Sequence, residues 1–297
     1  MFEKRILPNG VRILTEHVPA VRSVAAGIWV NTGSRYEKAS ESGASHFIEH
    51  MVFKGTENRT ASQIASEMDA IGGQINAFTT KECTCYYGRV LDTHLTRLAD
   101  VLCDMYFHST FDEADVQNER GVILEEIGMY DDTPDDLVSE RLFATVYKGS
   151  SLARPILGKR STLQNMTGEF LKSYQRAQYL PASTVVTVSG SFDDKDIDAL
   201  AERFMAMTPG KPRKLVPAVY HPGIVTKKKS TEQNHLCLAW PGLALSDDRR
   251  YAMQLLSGIL GGGMSSRLFQ ALRERHGLCY SVYTFGSSYT DTGVFSV

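Results

Sequence analysis

The chain has 297 residues, with 32 Lys and Arg against 34 Asp and Glu, and therefore a net charge of −2. Hydrophobic residues make up 42% of it and charged residues 22%, which is typical of globular proteins and unlike disordered, collagen-like or coiled-coil chains. The balanced charge argues against a general nucleic-acid-binding protein, which is usually basic. No apolar stretch approaches the ~18 residues that a membrane-spanning helix needs.

The predicted elements mix strands and helices without strict alternation. Asn9-Gly10 between two β-prone runs predicts a hairpin over 4–16. Further strands are predicted over 21–34, 74–91, 183–192, 235–240 and 280–297. Helices are predicted over 43–56, 60–73, 94–107, 112–130, 134–147, 167–178, 193–206, 246–260 and 264–274. This order favours an α+β fold over a doubly wound parallel sheet.

The segment 208–230 is rich in Pro, Gly, Lys and Arg and predicts a linker. Because strands and helices begin again after it, we predict an internal repeat. The domains are an N-terminal domain over 1–212, a linker over 213–230 and a partial second, homologous domain over 231–297. Both are expected to be sandwich-like, with helices packed on a sheet rich in antiparallel strands. The second is expected to be truncated.

Two histidines enclose a glutamate in the run His46-Phe47-Ile48-Glu49-His50. Residues i and i+4 lie on one face of a helix, so the two imidazoles can bind the same metal ion. Glu49 lies beside them and can reach a water molecule on that metal. This is the H-x-x-E-H order, the inverse of the H-E-x-x-H zinc motif. Catalytic zinc takes three protein ligands and a water molecule, so a third ligand is expected elsewhere in the chain.

The helix predicted over 112–130 supplies the candidates for that ligand. It carries four glutamates: Glu113, Glu119, Glu125 and Glu126. Glu119 and Glu126 are two helical turns apart and share a face, as a ligand and a residue that orients a ligand would. A solvated acidic face would have the same composition. The residues alone do not separate Glu125 from Glu126.

The segment SGASHFIEHMVFKGT at 42–56 resembles the zinc-binding helix of the pitrilysin-like metallopeptidases, also called inverzincins. Within that family, which includes insulin-degrading enzyme, the chain is most similar to the mitochondrial processing peptidases and their bacterial relatives. The likeness extends over essentially the whole chain. It includes L-x-N-G-x-R at 7–12, GG-x-x-NA-x-T at 72–79, E-R-x-V-I-L-E-E at 119–126 and RPILG at 154–158.

The resemblance implies a zinc metalloendopeptidase with one Zn²⁺ per chain. The third ligand would be Glu126, beside His46 and His50, and Glu119 would be a supporting acidic residue. Glu49 would act as the general base on the water that attacks the peptide bond. All of these residues lie in the N-terminal domain, which would therefore be the zinc-binding catalytic domain.

In the family, an arginine and a tyrosine seven residues apart contact the substrate backbone or the developing oxyanion. The resemblance assigns these roles to Arg273 and Tyr280, with Arg267 as a nearby alternative to the arginine. Taken without the resemblance, Arg273 would be a surface residue and Tyr280 a core residue.

The family's edge strand pairs with the substrate peptide through backbone groups, which tolerates many substrate side chains. Its residues here are Asn76, Ala77, Phe78 and Thr79. The alternative is that these residues form an internal strand of the sheet.

The expected partners are peptides or unfolded protein segments as substrates, and a second copy of the chain or a related subunit, with no nucleic acid and no membrane. The N-terminus has no apolar run of signal-peptide length. The bacterial cytoplasm is therefore the expected location, with the mitochondrial matrix as the alternative. Because the second half is short, a fragment or natural truncation with weak activity on its own is expected.

Two other functions compete with a peptidase. A non-catalytic, peptidase-like scaffold or partner subunit would typically lack a zinc ligand or the base, whereas all four positions are present here. A purely structural zinc site is disfavoured because such sites are closed, usually by cysteines. The five cysteines of this chain are scattered along it and are expected to be reduced thiols.

Overall fold

The computed structural model describes residues 2–297, and the predicted α+β class is confirmed. The strands are β1 (Glu3–Ile6), β2 (Arg12–His17), β3 (Ser23–Val30), β4 (Gln74–Thr79), β5 (Thr84–Leu91), β6 (Thr184–Gly190), β7 (Ala239–Pro241), β8 (Phe285–Ser288) and β9 (Gly293–Ser296). The helices are α1 (Ala44–Met51), α2 (Ala61–Ala70), α3 (Leu95–His108), α4 (Glu113–Asp132), α5 (Pro134–Val146), α6 (Arg160–Leu163), α7 (Gly168–Gln178), α8 (Asp194–Met205) and α9 (Arg250–Gly261). A π-helix spans Phe269–Arg275. Across residues 2–297, no helix combines the length and apolarity that crossing a membrane requires.

These elements divide into two compact units. The first comprises residues up to Ile127 together with Pro155–Leu215, and the second comprises Gly128–Arg154 and Val216–Val297. Residues 208–230 form neither helix nor strand. The domain boundary at 212 and the linker over 213–230 stay predictions.

The first unit contains a six-stranded mixed sheet with the strand order β1-β2-β6-β3-β5-β4. β2 and β6 run parallel, and the other neighbours run antiparallel. The predicted hairpin joins β1 and β2, and Gly10 at its turn has φ +99°. Buried side chains largely alternate with exposed ones along β3. α1 packs on β4 and β5, and α3 packs on β3 and β5.

The second unit contains a three-stranded antiparallel sheet in the order β7-β9-β8. The strand predicted over 235–240 is observed as β7 over Ala239–Pro241, and Leu238 just before it exchanges two backbone hydrogen bonds with Val297. The helix predicted over 264–274 forms as the π-helix.

Helix α1, which carries the H-x-x-E-H motif, is shorter than the predicted range 43–56. After Met51 the chain continues as a turn, in which the Lys54 N–H donates to the Met51 carbonyl oxygen at 3.0 Å. Gly43, which precedes the helix, has φ +99°, and a Cβ there would lie 2.8 Å from the Leu157 carbonyl oxygen. Both constraints favour glycine at this position.

The buried carboxylate of Glu37 caps the start of α1. Its Oε2 accepts the Gly43 N–H and its Oε1 accepts the Ser45 N–H, each at 2.8 Å. Donors at the start of a helix have no partner within the helix, so Glu37 satisfies two of them. This residue fixes the end of the helix that carries His46, and the sequence pattern did not identify it.

Glu37→Ala is expected to lower the free energy of unfolding by about 1–3 kcal/mol, because it leaves buried N–H donors without an acceptor. Urea denaturation in metal-free buffer measures this loss. Glu202→Ala, which changes an exposed residue of α8, is the matched control. A loss no greater than that of the control would contradict the capping role.

Glu37 also predicts a pH dependence of stability. Burial raises the pKa of Glu37 to about 7 from 4.5, although the hydrogen bonds from Ser45 and Gly43 lower it. The folded chain therefore binds an extra proton between these two pH values, and the contribution of this carboxyl group to stability falls as the pH rises through that window. The unfolding free energy of the wild type minus that of Glu37→Gln should therefore decrease between about pH 5 and pH 8. A difference that stays constant would show that Glu37 does not titrate in this way.

Candidate metal centre

His46 and His50 lie one turn apart on α1, with ring centroids 4.7 Å apart. The His46 side chain is buried, whereas that of His50 is 22% exposed. Burial, with a smaller contribution from His50, lowers the pKa of His46 to about 3. The His46 imidazole is therefore neutral near pH 7 and has a lone pair available for a metal ion.

Glu126 on α4 completes a group of three ligand atoms. Its Oε2 lies 3.6 Å from His46 Nε2 and 3.8 Å from His50 Nε2. Zinc with tetrahedral bonds of about 2.0–2.2 Å separates its ligand atoms by about 3.3–3.6 Å. The two distances to Glu126 are close to these separations, and the three ligand atoms all lie within 4.8 Å of one another, so the three side chains converge on a position that a single zinc ion could occupy. Two histidines and a carboxylate are also a donor set that catalytic zinc uses.

Glu119, two turns before Glu126 on α4, orients His50. The Nδ1 of His50 donates a hydrogen bond to Glu119 Oε2 at 3.0 Å. With the proton on Nδ1, the Nε2 lone pair is available to a metal, as in other zinc sites where a carboxylate supports a histidine ligand. The other carboxylate oxygen, Oε1, lies 2.5 Å from Lys54 Nζ.

The four glutamates considered from the sequence have different surroundings. Glu113 accepts a hydrogen bond from the Gly168 N–H at the start of α7. Glu125 is exposed to solvent. Within the described chain, Glu126 is the glutamate whose carboxylate joins the two histidines.

Glu49 extends from α1 towards β4. Thr79 of β4 lies beside its carboxylate. Burial raises the pKa of Glu49, and the interactions with Thr79 and His50 partly offset this shift. No group among residues 2–297 hydrogen-bonds to its buried Oε2. A carboxylate with a raised pKa and an unpaired oxygen is suited to accept a proton from water.

The strand predicted to bind substrate, β4, is an edge of the six-stranded sheet, which excludes the alternative of an internal strand. Its inner neighbour is β5, and no strand of the described chain pairs with its outer side. Ala77 and Thr79 face the helices. Phe78 faces the opposite side and packs edge-on against Trp29, with ring centroids 5.6 Å apart. Asn76 is exposed.

The residues predicted to contact the oxyanion belong to the second unit. Arg273 lies in the π-helix, with its guanidinium 5.0 Å from the centre of the Tyr280 ring. Tyr280 is 78% exposed, so it is not the core residue that its sequence context alone would favour. The alternative, Arg267, is also exposed. Contact of these side chains with a substrate stays a prediction.

The structure shows two contacts that the sequence patterns did not identify. Glu37 caps α1, and Lys54 pairs with Glu119. Lys54 lies in the turn after α1, and its partner Glu119 is 65 positions later, so no local spacing marks this contact. Glu37 lies outside the helix that it caps, and no periodic pattern marks it.

Two family models match the chain. Residues 12–160 match the model described as Insulinase (Peptidase family M16), and residues 165–297 match the model described as Peptidase M16 inactive domain. All five residues of the candidate centre, His46, Glu49, His50, Glu119 and Glu126, lie in the first of these segments.

Similar proteins occur in bacteria and among solved structures. The chain is 47% identical to the uncharacterized zinc protease YmxG of Bacillus subtilis, over 100% of this chain and 73% of that protein. It is 45% identical to an uncharacterized zinc protease of Streptomyces coelicolor, over 98% of this chain and 66% of that protein. A protease from Helicobacter pylori has the same fold, with a TM-score of 0.88 and 23% identity over 100% of this chain and 74% of that chain. The predicted resemblance to the pitrilysin-like peptidases is thereby confirmed, and the chain belongs to peptidase family M16, the insulinase family.

Proposed function

We propose that the protein is a zinc-dependent metalloendopeptidase that holds one Zn²⁺ through His46, His50 and Glu126. The observation that carries this proposal is the convergence of their three ligand atoms within 4.8 Å of one another, beside Glu49. The donor set supports zinc in preference to harder cations such as Mg²⁺. The zinc protease names of the two bacterial relatives support the same metal.

Zinc bound at this site would lower the pKa of a bound water molecule and polarise the scissile carbonyl group. Glu49 accepts a proton from the attacking water through its unpaired Oε2 and passes it to the departing amine. Glu119 keeps the His50 proton on Nδ1, which directs the other ring nitrogen towards Glu126 and His46.

The proposed substrate is a peptide or an unfolded protein segment that extends along β4. The unpaired backbone groups on the outer side of β4 can bind the substrate main chain as an added strand. Thr79 connects β4 to Glu49, so a peptide bound there passes beside the base. Arg273 and Tyr280 are proposed to contact the substrate backbone or the developing oxyanion.

We also propose a cytoplasmic location, which the bacterial origin of the similar proteins supports. A homodimer, or a pairing with a related subunit, is the proposed assembly.

The second candidate function is a non-catalytic scaffold or partner subunit. The description of the model that matches residues 165–297, an inactive domain, favours it. The presence of the complete metal group and the base in residues 12–160 favours the peptidase.

The zinc-loaded protein is expected to cleave an unstructured polypeptide. This activity should be lost when a chelator removes the metal and should return when zinc is added back. Elemental analysis measures the zinc content, and mass spectrometry measures the cleavage products separately. A protein that binds one zinc ion but cleaves nothing would support the scaffold. A protein that binds no zinc would contradict the metal site itself.

A further inference from the structure

We propose that Lys54 is a positioning residue of the metal centre, which acts on the ligand His50 through Glu119. The inference rests on the proposed zinc peptidase function and extends it to a residue outside the metal ligands and the base. Lys54 lies in the turn that follows α1, where its N–H bonds to Met51.

Glu119 joins Lys54 to His50 because its two oxygens have different partners. Oε2 accepts the His50 Nδ1 hydrogen bond at 3.0 Å, and Oε1 lies 2.5 Å from Lys54 Nζ. The Glu119 side chain is only 8% exposed, whereas that of Lys54 is 36% exposed. The carboxylate therefore depends on protein partners, and the lysine reaches it from the solvent side.

Lys54 is the one lysine or arginine of the described chain within ion-pair distance of Glu119. A buried charge that loses its partner is strongly disfavoured, so without Lys54 the carboxylate gains by turning towards water. That rotation would release the His50 Nδ1 proton from its acceptor, and the Nε2 lone pair would lose its fixed direction. Lys54 thereby keeps the carboxylate in the orientation that holds His50.

The test is zinc affinity, measured by competition with a chromogenic chelator on the full chain. Lys54→Met is expected to weaken zinc binding by about 10- to 100-fold, the range for loss of a residue that supports a metal ligand. Lys54→Arg keeps the charge and a donor and is expected to restore most of the affinity. Lys195→Met, at an exposed lysine of α8, is the control and should bind zinc as the wild type does.

A double variant tests whether Lys54 acts on His50 through Glu119. If Lys54 acts through Glu119, adding Lys54→Met to Glu119→Gln should cost little further affinity, because the two single effects share one interaction. Additive losses would overturn the role assigned to Glu119 as the connection. Circular dichroism of the metal-free variants shows whether they fold, and Lys54→Gln replaces Lys54→Met if the latter does not.

The same measurements distinguish a failure of this inference from a failure of the proposed function. Wild-type zinc affinity in both Lys54→Met and Lys54→Gln would overturn this inference and leave the proposed function intact. A wild-type protein that binds no zinc would overturn the proposed function itself. A weakened Lys54→Met that Lys54→Arg does not rescue would also overturn the inference, because it would separate the effect from the positive charge.

Discussion

Glu49→Gln is expected to retain one zinc ion per chain while peptide hydrolysis falls by about 10²- to 10⁴-fold, the usual contribution of a general acid–base residue. Glutamine has nearly the same shape and keeps an oxygen for the Thr79 contacts, but it cannot accept the proton of the attacking water. Glu49 does not belong to the group of three converging ligand atoms, so the metal should be unaffected. Zinc content and the initial rate of cleavage are measured on the same preparation.

Glu57→Gln is a suitable control because it changes an exposed glutamate seven residues beyond His50. It should leave both zinc content and rate unchanged. Equal rates for wild type and Glu49→Gln would exclude Glu49 as the base. Loss of zinc in Glu49→Gln would instead make Glu49 a metal ligand.

Glu126→Gln is expected to weaken zinc binding by more than about 100-fold, beyond the range for a residue that only supports a ligand. The Glu126 carboxylate lies within 3.8 Å of both histidine Nε2 atoms, and an amide is a much poorer zinc ligand. Glu125→Gln is the matched control, since its side chain points about 100° away around the helix and is exposed. It should leave metal content intact.

Glu119→Gln should fall between these two, with a loss of about 10- to 100-fold, because Glu119 supports His50 without joining the metal group. The His46→Ala/His50→Ala double variant provides the zinc-free reference. Zinc affinity that falls in Glu125→Gln but not in Glu126→Gln would reverse the ligand assignment. Zinc retained by the double histidine variant would refute the site.

Local patterns in the sequence were sufficient to predict most of the helices and strands. Thr60 and Gln63 have the capping-box form, and in the structure the Thr60 side chain accepts the Gln63 N–H at the start of α2. The i, i+4 spacing of His46 and His50 depends on helical geometry alone, so it also followed from the sequence. Asn9-Gly10 marked the first hairpin in the same way. Each of these features involves residues a few positions apart, whose geometry the backbone determines.

The ends of helices and strands were harder to predict where contacts with residues distant in the sequence determine them. The helix over 43–56 stops at Met51, and an isolated bridge between Thr56 and Ser109 holds the chain that follows. This contact is not visible in the residues of the helix itself.

The features of the candidate metal centre also separate into those that local sequence predicts and those that tertiary packing decides. The sequence by itself determined two histidines and a base on one helix, an acidic helix that follows, and a family to which both belong. The residues alone did not separate Glu125 from Glu126, because the two have the same chemistry. The family resemblance assigned Glu126, and the tertiary structure places that side chain, on another face of α4 from Glu125, beside both histidines. It also decided that Glu37 and Lys54 support the site. Glu37 caps α1 from outside the helix, and Lys54 pairs with a glutamate 65 positions later, so packing brings together charges that no local spacing relates.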